Sequence, residues 1–105
     1  MKVDLYGVYR QLAGGKTLEL AVPHGGRLRD VLIAVTKQVP ALNAELFDTR
    51  GNLFADVPLY LNGRNPRLLA EGLNRVMQPD DVLSIFSPIA SGRMNVEEIK
   101  TSLIR

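Results

Sequence analysis

The sequence contains no cysteine and no tryptophan, and only one histidine among its 105 residues. The missing cysteines exclude a disulfide scaffold, a thiolate zinc site and cysteine-based nucleophilic or redox chemistry. No apolar run approaches the roughly 18 residues needed to span a bilayer. The opening MKVDLYGVYR scatters charge among its apolar residues and does not read as a secretory signal. Charge of one sign is nowhere concentrated: 13 Lys+Arg stand against 11 Asp+Glu, for a net charge of +2. Neither a nucleic-acid arm nor a polybasic membrane patch is present, so neither kind of partner is expected. A chain of this length buries about two-thirds of its unfolded surface, which suffices for one small core. A single cytoplasmic domain is the expectation.

Hydrophobic periodicity organises what is there. Met1 to Val8 alternates, with Val3 and Leu5 opposite Lys2, Asp4 and Tyr6, the signature of a half-buried strand. Thr17 to Val22 alternates again beyond the Gly14-Gly15 turn, so the two runs read as a β-hairpin. Pro23-His24-Gly25-Gly26 breaks the strand. Leu28, Val31, Leu32, Val35 and Val39 then form one helical stripe, capped at Gly26 and ended by Pro40. Residues 41–56 read as irregular, with a turn at Thr49-Arg50-Gly51-Asn52. Leu59–Leu61 is a short strand closed by Asn62-Gly63. Pro79-Asp80-Asp81 is a turn, and Val82–Phe86 is a last strand. The order β-β-α-β-β implies an α+β roll, a mixed sheet packed on one main helix. In the last strand Leu83 and Ile85 face the core, while Phe86 shares the solvated face with Tyr6. If the first and last strands are neighbours, these two aromatics form one exposed patch suited to a partner.

Catalytic constellations are poor. His24 reads as a solvated turn residue rather than a general base or metal ligand. Asp80-Asp81 and Glu97-Glu98 are adjacent pairs whose members point to different faces, unlike an acid/base dyad. Gly25-Gly26 lacks the rest of any phosphate-binding fingerprint. No metal site, bound cofactor or self-contained active site is expected.

Leu61-Asn62-Gly63-Arg64, the Pro79-Asp80-Asp81 turn and Phe86-Ser87-Pro88-Ile89-Ala90-Ser91-Gly92 follow one another as in the MoaD/ThiS family of ubiquitin-like sulfur carriers, which the chain resembles over residues 1–92. The resemblance implies a β-grasp domain over 1–92. It also implies a carrier terminus at Ala90, Ser91 and Gly92, and a partner surface at Tyr6, Phe86, Pro88 and Ile89. In the family a MoeB/ThiF-type adenylating enzyme uses ATP to activate the terminal glycine, and sulfur replaces the AMP. The sulfur serves molybdopterin- or tungstopterin-type cofactor synthesis, with a molybdopterin-synthase-type large subunit as partner, or the activated tail is conjugated to a protein lysine. A terminal glycine suits this because, lacking Cβ, it can thread a narrow channel.

Two features depart from the family pattern. Its closing Gly-Gly is Ser91-Gly92 here, and the 13 residues Arg93–Arg105 continue past the glycine and block its carboxylate. Asn95 with Glu98 three residues on resembles a capping box. Val96, Ile99, Leu103 and Ile104 fall in one apolar stripe, so 93–105 is expected to be a short amphipathic helix. Such a helix needs a surface to bury that stripe. Two readings follow. In the first, a protease cuts after Gly92 to release a carrier. In the second, a non-conjugating subunit docks on a partner, or forms a homo-oligomer, through the tail stripe.

Overall fold

The computed structural model describes residues 1–21 and 25–88. The expectations placed on His24, Ile89, Ala90, Ser91, Gly92, Val96, Ile99, Leu103 and Ile104 lie outside the described residues.

Four strands form one mixed sheet in the order β2-β1-β4-β3. They are β1 (Lys2–Tyr6), β2 (Thr17–Glu19), β3 (Leu59–Leu61) and β4 (Val82–Phe86). The outer pairs are antiparallel, whereas β1 and β4 run parallel in the centre with Val3 beside Leu83 and Tyr6 beside Phe86. Alternation decides which side is buried. Val3, Leu5, Leu18, Leu59, Leu61, Leu83 and Ile85 all turn to the same face, where α2 (Leu28–Gln38) lies across them. Leu28, Val31, Leu32 and Val35 bury the helix stripe against the sheet. Each fully buried aliphatic side chain contributes about 2 kcal/mol by leaving water.

The helix start differs from expectation. Its cap is Arg27, not Gly26: the Arg27 N–H donates to the Asp30 carboxylate at 2.9 Å, and the Arg27 guanidinium donates to the Asn74 carbonyl at 2.6 Å. The acid at the third helical position thus does the capping, where it also favours the positive end of the helix. Val39 ends the helix at Pro40 as expected.

Two further corrections concern helices. The hairpin between β1 and β2 is not a simple turn but holds α1 (Val8–Ala13), so β1 stops at Tyr6 and Val8 opens a helix. Buried Tyr9 anchors α1, and its hydroxyl donates to the Glu45 carbonyl at 3.4 Å. Residues 41–56 are not wholly irregular either. A 3-10 turn at Pro40–Leu42 leads into α3 (Asn43–Leu46), which together bury Leu42 and Leu46.

The Asn62-Gly63 turn and the Asp80-Asp81 turn prove to be one device. Asn62 (φ 51°) and Gly63 (φ 83°) close β3 in a left-handed turn, with Leu61 and Arg64 exchanging backbone hydrogen bonds. The Asn62 side-chain amide donates to Asp81 at 2.8 Å, and its carbonyl oxygen accepts the Val82 N–H at 2.9 Å. Asp81 also accepts the Gln78 N–H at 2.7 Å and the Arg75 guanidinium at 3.3 Å. Burial raises the Asp81 carboxyl. The Gln78 N–H, the Asn62 amide and the Arg75 charge more than offset this, so its pKa lies below the usual carboxylate value. The contribution is therefore complete above the unfolded value of about 3.9 and is lost as pH falls through the lower folded value. Denaturant midpoints measured from pH 7 down to pH 2 are expected to hold level and then drop in the acid limb. Asp81→Asn is expected to flatten part of that drop.

Candidate functional site: an aromatic ledge at the departure point of the C-terminal segment

The sheet face turned away from α2 carries Lys2, Asp4 and Tyr6 on β1, Tyr60 on β3, and Val82, Ser84 and Phe86 on β4. Parallel pairing of Tyr6 with Phe86 stacks the two rings, centroids 4.3 Å apart and planes within 5°. The two aromatics expected to be neighbours are neighbours, each half-buried, and the structure adds a third ring. Tyr60 meets Phe86 edge-on at 5.6 Å and 88°, and it is 41% exposed. Lys16 Nζ sits 5.1 Å from the Tyr6 ring centroid, a cation–π contact on the rim. Three half-exposed rings side by side form a rigid, largely apolar ledge with few rotamers to lose on binding.

Periodicity alone does not single out Tyr60 within the short Leu59–Leu61 strand, although a signal exists. Leu59 and Leu61 are core residues, so the residue between them had to face outward. What could not be read was the antiparallel register that sets Tyr60 opposite Ser84 and so beside Phe86.

Immediately after the ledge, Ser87 is buried and its hydroxyl accepts the Val8 N–H at 3.1 Å. This ties the first residue beyond β4 to the start of α1. Gly7 permits the approach. It has φ 67°, and a Cβ there would fall inside the contact radius of Ser87 Oγ. Pro88 is half-buried and is the last described residue. Tyr6, Phe86 and Pro88 are therefore brought to one end of the sheet, whereas Ile89, Ala90, Ser91 and Gly92 lie beyond the described residues. Among the described residues no three His, Cys, Asp or Glu side chains gather as metal ligands would. No described helix is long and apolar enough to cross a membrane.

No family model matches the chain. Individual relatives do. The solution structure of small archaeal modifier protein 1 from Methanosarcina acetivorans is 32% identical, with a TM-score of 0.74 over 87% of this chain and 94% of that one. The chain belongs to this modifier family. Small archaeal modifier protein 1 of Haloferax volcanii is 26% identical over 92 residues, which span 88% of this chain and all of the relative. Its crystal structure superposes with a TM-score of 0.77. A candidate molybdopterin converting factor, subunit 1, from Pyrococcus furiosus is 28% identical, with a TM-score of 0.66 over 84% of this chain and 95% of that one. The β-grasp fold and the kinship with ubiquitin-like modifiers and sulfur carriers expected from the motifs are thus both found. Small modifier proteins, not enzymes, are what this chain is homologous to.

Proposed function

We propose that this member of the small archaeal modifier protein 1 family is a precursor of a sulfur carrier or protein modifier, whose working group is the Gly92 carboxylate. A protease cleaves between Gly92 and Arg93. A MoeB/ThiF-type partner then forms the acyl-adenylate from ATP with release of pyrophosphate. Attack by hydrosulfide on the acyl carbon expels AMP and leaves a thiocarboxylate; attack by a lysine amine would instead expel AMP to give a conjugate. The observation that carries this reading is the position of the Tyr6–Phe86–Tyr60 ledge. It lies at the end of β4 from which the chain runs, through Pro88, towards Gly92. A partner seated on the ledge therefore has the carrier terminus within reach, and the binding energy of the rings positions a carboxylate four residues past Pro88. The kinship with a candidate molybdopterin converting factor subunit supports a pterin-type acceptor and a synthase large subunit as second partner. ATP belongs to the activating enzyme.

The reading is tested by ATP–pyrophosphate exchange with a MoeB/ThiF-type enzyme. A chain ending at Gly92 is expected to support exchange, and the chain ending at Arg105 is not. Phe86→Asp in the shorter chain is expected to lower exchange about tenfold or more, as removal of a central aromatic anchor does. Ser91→Gly is expected to leave exchange unchanged or raise it, because it restores the slimmer terminus. Equal exchange by the two lengths of chain, or indifference to Phe86→Asp, would count against the proposal.

A further inference from the structure

The outer face of α1 is unusual for so short a helix. Val8 and Leu12, one turn apart, are 43% and 41% exposed, while Tyr9 between them is buried. Beside this apolar pair lies an open groove of ≈ 550 Å³ lined by Gly7, Arg10, Gln11, Gly14, Gly15 and Lys16. Its two charged groups are both cationic, and no acidic side chain among the described residues forms an ion pair with either. An apolar strip flanked by unpaired positive charge suits an amphipathic segment with an acidic flank.

This chain carries such a segment. Residues 93–105 combine the stripe Val96, Ile99, Leu103 and Ile104 with the adjacent acids Glu97 and Glu98. The chain also departs at the right place, since Ser87 is hydrogen-bonded to Val8, the first residue of α1. The seven residues 89–95 span up to about 25 Å when extended, and a helix of six residues is only about 9 Å long. Every part of the α1 face is therefore within reach of the stripe.

We propose that residues 93–105 fold back on their own domain. Their apolar stripe covers Val8 and Leu12, and Glu97 and Glu98 face Arg10 and Lys16. Tethering makes this intramolecular contact compete at an effective concentration on the order of millimolar, so weak complementarity suffices. Glu97 and Glu98 drawn towards Lys16 also bring the segment to the edge of the aromatic ledge, because Lys16 lies over Tyr6. The contact goes beyond the carrier reading and requires none of its chemistry: it forms whether or not Gly92 is ever activated.

Because the chain has no cysteine, Ser102→Cys supplies a unique attachment point for a nitroxide on the full-length protein. Amide signals of Val8–Lys16 are expected to lose more than half their intensity in the labelled protein, and those of Asp48–Asn52 to keep theirs. Adding Glu97→Lys and Glu98→Lys to the labelled chain is expected to restore most of the lost intensity. Full intensity across Val8–Lys16 in the labelled chain would overturn the proposal and leave the α1 face to a partner protein. So would equal broadening when isotope-labelled chains without nitroxide are mixed with nitroxide-bearing ones, which would make a second copy the occupant.

Discussion

Replacing Gly7 with alanine is expected to destabilise the domain by about 3 kcal/mol, through two separable causes. With φ 67° and ψ −137°, residue 7 lies where a Cβ is strained, at about 1–3 kcal/mol. The new methyl also displaces Ser87 Oγ and breaks its bond to the Val8 N–H, at about 1 kcal/mol. Ser87→Ala alone is expected to show only the second cost. The double substitution is expected to be less damaging than the sum of the two, because without the hydroxyl there is little left to displace. Urea denaturation of the four proteins measures all of this. A Gly7→Ala protein within about 0.5 kcal/mol of the parent would refute the packing described for this corner.

The second large effect is expected at Asp81. Asp81→Ala leaves the Asn62 amide, the Gln78 N–H and the Arg75 guanidinium without their shared acceptor in a site where the residue is 5% exposed. Removing the one acceptor of three part-buried hydrogen bonds costs about 3 kcal/mol, whereas Asp81→Asn keeps an acceptor oxygen and is expected to cost about 1 kcal/mol. Thermal or denaturant unfolding distinguishes these values, and an alanine variant as stable as the asparagine one would contradict the account. This cluster also explains the motifs that carry the family resemblance. Leu61-Asn62-Gly63-Arg64 and Pro79-Asp80-Asp81 are scaffold residues: Asn62 bridges Asp81 and Val82 and so clamps the entry to β4, whose far end bears Phe86. These motifs hold the fold, whereas the proposed partner surface is built from the rings at positions 6, 60 and 86.

The parts of the structure legible in the sequence are those in which one periodicity runs long enough to be counted. Val3 and Leu5 alternate with their polar neighbours, Leu83 and Ile85 do the same, and Leu28 to Val35 repeats at helical spacing. All of these residues are buried. The α1 helix escaped because six residues complete less than two turns and bury a single side chain, Tyr9. Its sequence cannot be told from a hairpin loop until the Gly7–Ser87 contact is seen, a contact between residues 80 positions apart. The α3 turn escaped for the same reason, with only four residues. At the site, Tyr6 and Phe86 could be paired by assuming neighbouring strands, but Tyr60 joins them only through a register that three residues of β3 do not specify. Ser87 lies in the Phe86-Ser87-Pro88 stretch, where no periodicity marks it out. Its hydroxyl anchors α1, a role that only the tertiary structure supplies.

The central claim is that Gly92 becomes the working terminus. Its most direct test is the intact mass of the protein isolated from its native cells. The account predicts a species ending at Gly92, a fraction of it heavier by the exchange of one oxygen for sulfur. Finding only chain that extends through Arg105, in cells that express the adenylating partner, would contradict it and make the segment after Gly92 a permanent docking element.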